Sequence, residues 1–251
     1  MIRTEEYIGL EGFNNFGTPM KIIAARKKSD IDVQFLDEHG YIWRHNMYRN
    51  FIKGEIKNPY DKSICGIGYL GDGDYVCWKN GKHTEEYVVW KNMIVRCYYE
   101  KEKELHPTYF EACSVCNEWL CFQNFAKWYN KNKYSVRGRL HLDKDILYPE
   151  CKEYNPDSCL LVPQRINMLF VAHSPNRYGL PEGISKTATG YGVSYQGKSY
   201  GVGKNLFEAC EKYKKIKEKV IKEIANEYKE IMPDIVYDAL LSYKVTINNV
   251  A

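Results

Sequence analysis

No stretch of this 251-residue sequence approaches the roughly 20 consecutive apolar residues of a membrane-spanning helix. The opening MIRTEEYIGL has no apolar core of the kind a secretory leader carries. A cytosolic chain with no membrane contact is therefore expected. Charge of one sign is not in excess either: 36 Lys and Arg against 32 Asp and Glu leave a net +4. That balance permits nucleic-acid binding without demanding it, because a binding face is set by local clustering rather than by the total. Nine cysteines, an odd number in a chain without an export signal, do not make a disulfide framework, so reduced thiols or a metal are the better readings. The glycine-rich stretch 66–73 is followed by neither Gly-Lys-Ser/Thr nor a Rossmann acidic partner, which excludes a phosphate loop and leaves tight turning around a hairpin.

What the sequence has in quantity is aromatic side chains, with 22 Tyr and 5 Trp; these fill cores and interfaces and can also stack. Hydrophobic content of 44% and charged content of 27% are those of a soluble globular protein, and the length allows two or three small domains. Helical and strand periodicities both occur, so an α+β class is expected. It divides into a small antiparallel, barrel-like β domain at 1–58, a hairpin, helices and a compact finger at 59–175, and a three-stranded sheet on a long helix with C-terminal helices at 176–251.

Along the chain, strands are expected at 20–25, 31–35 and 41–45, with Asp37-Glu38-His39-Gly40 turning the last pair. The basic residues Lys21, Arg26, Lys27, Lys28, Arg44 and Arg49 read first as solvated outward positions and second as phosphate contacts. Asn80-Gly81 predicts a hairpin turn. From Tyr87 the apolar residues Val88, Val89, Trp90, Met93, Ile94 and Cys97 fall on helical spacing, and Trp119, Leu120, Phe122, Phe125, Trp128 and Tyr129 predict a second helix. Most of these aromatics read as core. Arg96, on an otherwise apolar helix, calls for a carboxylate or phosphate partner.

Cys113-x-x-Cys116, with Cys121 nearby and Cys151 and Cys159 around a later loop, has part of the spacing of a structural zinc site. A second close pair is missing, His106 and His141 are equal candidates for a further ligand, and the competing reading is cysteine as a small buried apolar residue.

The stretch 136–167, VRGRLHLDKDILYPECKEYNPDSCLLVPQRIN, is the one around which the chain is organised. Alternation over Leu140, Leu142 and Ile146 predicts a strand, Asn155-Pro156-Asp157 a loop, and 159–162 a second strand; Pro163 opens a helix carrying Ile166, Leu169 and Phe170. These residues resemble the ββα-metal finger of HNH endonucleases, in particular phage proteins of that group, and the resemblance implies phosphodiester hydrolysis in the cytoplasm of a host cell. In that family a His at the end of the first strand activates water, an Asn fixes the hairpin, and a His or Asn on the helix binds metal. The first position falls on Lys144 within Asp143-Lys144-Asp145-Ile146, the second on Ser158, and the third is retained as Asn167. Lysine carries no lone pair until it loses its proton, with an ordinary pKa near ~10.4.

Farther on, Asn176–Leu180 reads as a linker. Gly183-Ile184-Ser185, paired strands at 190–195 and 198–202 around Gln196-Gly197, and a helix from Leu206 with Ala209, Tyr213, Ile216, Val220 and Ile224 on one face follow. The pattern resembles the APETALA2-type DNA-binding domain, in which the sheet enters the major groove. The resemblance makes Lys186, Tyr191, Tyr195, Gln196, Lys198 and Tyr200 contact candidates, and Arg96, Arg137, Arg139 and Arg165 join them as basic positions elsewhere. Pro233 ends the long helix, and a helix at 235–243 is expected to pack back on an earlier domain.

Two functions follow. In one, the chain binds duplex DNA while a finger with weak or lost catalysis docks as a bound element. In the other it is a Mg-dependent nicking endonuclease: Asp143 and Asp145, two residues apart on one side of a strand, would hold Mg with Asn167, and the metal, by lowering the pKa of a bound water, or else His141 would replace the missing base. Against the catalytic reading stands the plainer one of Asp143, Lys144 and Asp145 as a salt-bridged turn. A host protein as the partner is a third option.

Overall fold

The structure, a computed structural model, describes residues 4–101, 113–149, 151–171 and 179–246. Its contacts group the chain into two compact units, 1–130 and 131–251, and each is described by itself.

The first unit opens with strands β1 (Glu11–Phe13), β2 (Pro19–Lys27), β3 (Asp30–Phe35) and β4 (Ile42–Asn46), an antiparallel sheet in the order β1-β2-β3-β4. The period-2 alternation expected of strands is present: Met20 and Ile22 of β2 and Ile31, Val33 and Phe35 of β3 are fully buried. The expected barrel does not close. Its edge strand β1 is only three residues long, and Tyr7, Ile56 and Phe51 of the short helix α1 (Tyr48–Ile52) cover the apolar face instead, so no strand pairing is needed to bury it. The β3–β4 turn forms as expected, with the Asp37 carboxylate accepting the N–H groups of His39 at 3.2 Å and Gly40 at 3.0 Å.

The rest of this unit holds a β-hairpin, the two-residue strand β7 (Ser114–Val115) and two helices. Asn80 and Gly81 both adopt left-handed φ, 51° and 75°, and join β5 (Trp78–Lys79) to β6 (Lys82–His83). The glycine-rich stretch forms a tight turn closed by an Ile64–Gly68 bridge, after which Tyr69 pairs with Cys121. Gly71, at φ 72°, has no room for a side chain, since a Cβ there would lie 2.5 Å from the Cys121 sulfur. Helices α2 (Glu85–Tyr98) and α3 (Phe122–Asn132) bury most of the aromatic stripes that the sequence placed on them, but Trp119 and Leu120, expected on the second helix, lie in a separate 3-10 turn, Asn117–Leu120, ahead of it. Trp90, Trp119, Phe122 and Phe125 are wholly buried, and the Trp90 indole N–H donates to the Trp119 carbonyl at 2.7 Å.

In the second unit β8 (Leu140–Asp143) pairs antiparallel with β10 (Leu160–Pro163), with a two-residue strand β9 (Glu153–Tyr154) in the loop between them, and α4 (Gln164–Asn167) follows directly on Pro163. This is the predicted strand, loop, strand, helix plan. The first strand ends at Asp143 rather than reaching Ile146, and the helix proper is a single turn. Then β11 (Ile184–Thr187), β12 (Gly190–Tyr195) and β13 (Lys198–Gly203) make the antiparallel three-stranded sheet, with a turn in which Gln196 and Gly197 have φ of 49° and 74°. Helix α5 (Leu206–Glu227) is capped by Asn205, whose side chain accepts the Glu208 N–H at 2.8 Å.

With 22 residues, α5 spans about 33 Å, enough to serve two cores. Its first half puts Ala209, Cys210 and Tyr213 against Ile184, Val193 and Tyr195 of the sheet. Its second half puts Ile221, Ile224 and Ala225 against Ile146, Leu160, Val162, Ile166 and Leu169 of the finger. Helix α6 (Asp234–Ser242) packs back, as expected, adding Val236 and Leu240 to that second core.

Candidate functional site

The finger is built from β8, whose end is set by Asp143. Its carboxylate accepts the backbone N–H groups of Asp145 and Ile146, each at 2.9 Å, which bends the chain out of the strand at that point. Two residues' separation therefore does not put Asp143 and Asp145 on one side of a strand, because Asp145 lies in the turn. Asp143 is buried, and burial pushes its carboxyl up to about 6 although the two N–H bonds oppose the shift.

Lys144 occupies the position where the finger resemblance puts a base, and its ammonium is fully engaged. It is 7% exposed, lies 2.6 Å from Asp145 Oδ1, donates to the Cys151 carbonyl at 3.0 Å and sits 5.9 Å over the Tyr154 ring. The salt-bridged turn is thus present. Ser158, also buried, donates its hydroxyl to the Glu153 carbonyl at 3.0 Å, while Asn155 Oδ1 accepts the N–H of Asp157 at 3.0 Å and of Ser158 at 2.8 Å. Side chains thus tie the loop closed across its base. His141, half-buried on β8, stands opposite Val162, and Asn167, half-buried, ends α4.

The expected contact residues divide by strand parity. Tyr195 is 7% exposed and meets Tyr213 of α5 edge-on, with ring centroids 5.6 Å apart, so it belongs to the core rather than to a contact face. Tyr191 and Tyr200 pack against that core as well. Tyr191 and Tyr195 share parity with buried Val193, which commits all three to the helix side. The open face carries Ser185, Thr187, Gly192, Ser194, Ser199 and Val202: a Cβ at Gly192 would meet Ser185 Oγ at 3.0 Å and Thr187 Cγ2 at 3.2 Å, and Gly192 pairs with Val202 and Ser194 with Ser199. This small-residue face was missed by choosing contacts on residue type, and parity alone would have found it. Lys186, Gln196 and Lys198 are exposed, as are Arg137 and Arg139 ahead of β8. Arg165 is committed to Glu227 of α5 through both guanidinium nitrogens, one of them at 3.0 Å, and Arg96 is half-buried near the end of α2.

Of the zinc candidates, Cys113 and Cys116 fall in the first unit, Cys151 and Cys159 in the second. Cys151 donates to the Glu153 carbonyl at 3.3 Å, and burial pushes the Cys159 thiol up to about 12. His106 and residues 176–178 of the expected linker lie outside the described residues. Among the described residues, one group of His, Cys, Asp or Glu brings three ligand atoms within 4.8 Å of one another: Asp30, Asp32 and His45. A cation already stands there. Arg26 Nη2 lies 2.8 Å from Asp30 and 2.5 Å from Asp32, and Arg44 reaches Asp32 at 3.4 Å. Hydrogen bonds from Arg26 first and His45 second hold the Asp30 carboxyl down at about 2. Two of the expected basic surface residues are therefore spent on a network that the sequence shows only as an Arg followed by two alternating Asp.

Set against known proteins, the chain matches no family model, no curated protein and no solved structure.

Proposed function

We propose that this chain binds duplex DNA through residues 131–251 and that its finger is a bound structural element with weak or lost hydrolytic activity. The observation that carries the reading is the distribution of charge. Residues 131–251 hold 19 of the 36 Lys and Arg but 14 of the 32 Asp and Glu, so the net positive charge resides in that unit. Its exposed members Arg137, Arg139, Lys186 and Lys198 belong to the finger approach and the three-stranded sheet, the two parts whose sequences resemble the HNH finger and the APETALA2-type domain. A flat sheet face of small residues lets a duplex approach closely; Lys186 and Lys198, in register with Tyr191 and Tyr195 and so set toward the helix side of the sheet, would act with Arg137 and Arg139 only as exposed cations of the same unit that attract phosphate irrespective of sequence.

Loss of catalysis follows from the chemistry of the finger. A protonated lysine in an ion pair accepts no proton from water, and general-base assistance typically contributes ~10²–10⁴-fold. Asp143 already accepts two backbone N–H groups, and Asp145 Oδ1 already faces an ammonium, which leaves little of the hard-oxygen set that Mg requires. The test is a pair of measurements on the full chain. Fluorescence anisotropy with a labelled duplex should show an affinity that falls steeply with salt, roughly −0.9 in log–log slope per phosphate contacted; a slope near zero overturns the binding reading. Supercoiled plasmid incubated with Mg²⁺ or Mn²⁺ should stay uncut; rapid nicking that Asp143→Ala or His141→Ala abolishes would make the chain an active endonuclease instead.

A further inference from the structure

The first unit carries a cluster of rings that the proposed function does not use. The Tyr41 carbonyl accepts the Phe35 N–H at 2.8 Å, and Trp43 of β4 pairs with Val33 of β3. Cross-strand partners share a face, so both rings lie on the apolar side of the sheet, at its β4 edge. Their planes meet at 86° with centroids 5.7 Å apart, and the Tyr60 ring stands at 67° to Tyr41 with centroids 6.3 Å apart. Planes at such angles bound a re-entrant corner with ring faces on its sides. The walls are held in place without being covered. His39 stacks on Tyr60 at 3.7 Å and the Trp43 indole N–H donates to the Lys57 carbonyl, yet Trp43 is 40% exposed.

Carboxylates gather at the same edge. The Gly71 N–H donates to the Pro59 carbonyl at 2.9 Å, which sets the exposed Asp72 beside the chain that carries Tyr60. Burial first and Asp72 second push the Tyr41 hydroxyl above its ordinary range. Tyr69, its ring 6.1 Å from that of Tyr60, is pushed the same way by burial first, with Glu38 among the lesser causes. Glu38 itself lies 3.6 Å from His39 Nε2. Among the described residues, no Lys or Arg stands over the Tyr41, Trp43 or Tyr60 ring. Residues 1–130 as a whole hold 17 Lys and Arg against 18 Asp and Glu. Ring faces attract cations, whereas carboxylates repel phosphate, which disfavours a nucleic-acid strand here although its bases also stack on aromatics. A plain ammonium is strongly hydrated. A quaternary ammonium holds water weakly and asks for no hydrogen bond, which suits a wall whose indole N–H is already given to Lys57. Of its carriers, a phosphocholine headgroup brings a phosphate up to the carboxylates, and a trimethylated lysine does not.

We propose that this corner takes the quaternary ammonium of a trimethylated lysine in a partner protein, with Tyr41, Trp43 and Tyr60 as its walls and Asp72 and Glu38 as the counter-charge. The inference does not rest on the DNA-binding reading, which concerns residues 131–251. On the full chain, NMR titration with a Gly-Ser peptide carrying one trimethyllysine should shift the Tyr41 and Trp43 amide signals. The same peptide with lysine or arginine at that place should bind about tenfold more weakly, toward the upper range of one cation–ring contact. Trp43→Leu keeps an apolar side chain but removes the ring face, and should weaken the trimethyllysine peptide about tenfold, whereas Trp43→Phe, which keeps a face, should weaken it less. Asp72→Asn, at an exposed position, should weaken it about two- to threefold, and added salt should erase that difference. Retained dispersion in the rest of the spectrum shows that each variant is folded. Absent shifts, equal response to the lysine and arginine peptides, equal loss in Trp43→Leu and Trp43→Phe, or indifference to Asp72→Asn would each overturn the proposal. Phosphocholine binding as tightly as the peptide would overturn the partner-protein source and make the corner a site for a choline group. A single-stranded oligonucleotide that shifts the same signals while the peptide does not would overturn the cation reading.

Discussion

Lys144 and Asp145, neighbours in sequence, form an ion pair of 2.6 Å in which the ammonium is buried and the carboxylate about a third exposed. The same ammonium bonds the Cys151 carbonyl, so the lysine ties two points of the finger loop together. Its two partners are unequal, and the inequality is measurable. Asp145→Ala leaves a buried ammonium short of its counter-charge and is expected to cost about 3–5 kcal/mol, whereas Lys144→Met leaves a carboxylate that water can reach and should cost about 1 kcal/mol. Urea denaturation of both variants checks the order. Equal, small losses would mean that the pair does not anchor the loop.

Asp143 gives the finger an inverted pH dependence. Its carboxyl ordinarily ionises near 3.8 and in the fold only near about 6, chiefly because it is buried. The folded state therefore keeps the proton to higher pH than the unfolded state, so this residue makes stability fall as pH rises through that window, by about 3 kcal/mol at most. Asp143→Asn keeps an oxygen for the Asp145 and Ile146 N–H groups and abolishes the titration. The variant should match or exceed the parent in stability at pH 7 and lose its advantage near pH 4, as read from denaturation midpoints across that range.

Arginines of the second unit should divide in their effect on DNA. Arg137→Ala and Arg139→Ala should each reduce the salt slope of binding by up to about 0.9. Arg165→Ala should leave the slope nearly unchanged, because its guanidinium is held by Glu227. Anisotropy titrations at four or more salt concentrations decide this, and an Arg165 effect as large as that of Arg137 would count against the assignment.

On the sheet, Tyr195→Ala should cost about 3–5 kcal/mol of stability, as for other buried aromatic truncations. Lys198→Ala, which removes an exposed side chain beside it, should change stability by no more than about 0.5 kcal/mol while weakening duplex binding. Thermal melts alongside binding curves distinguish the two roles. A Tyr195→Ala protein that melts normally but loses DNA would return this tyrosine to the contact face.

What the sequence by itself determined are the features confined to a few residues. Asn80-Gly81 turns because left-handed φ is cheap for both residues, and Gln196-Gly197 because Gly197 supplies one such position freely, the helices α2, α3 and α5 follow the 3.6-residue spacing of their apolar side chains, and Pro163 starts α4 because its missing N–H is not needed there. The order strand, loop, strand, helix in the finger and the sheet-plus-helix order after it were legible for the same reason. Tertiary structure decided the rest. Whether β1 to β4 close depends on what else covers the apolar face, and Phe51 and Tyr7 do so from outside the sheet. The service of α5 to both the finger and the sheet comes from long-range burial that no local pattern encodes. Residue type alone left open whether Lys144 would meet water or a carboxylate, and Tyr195 a duplex or Tyr213. Those outcomes depend on which partner the fold brings within contact distance.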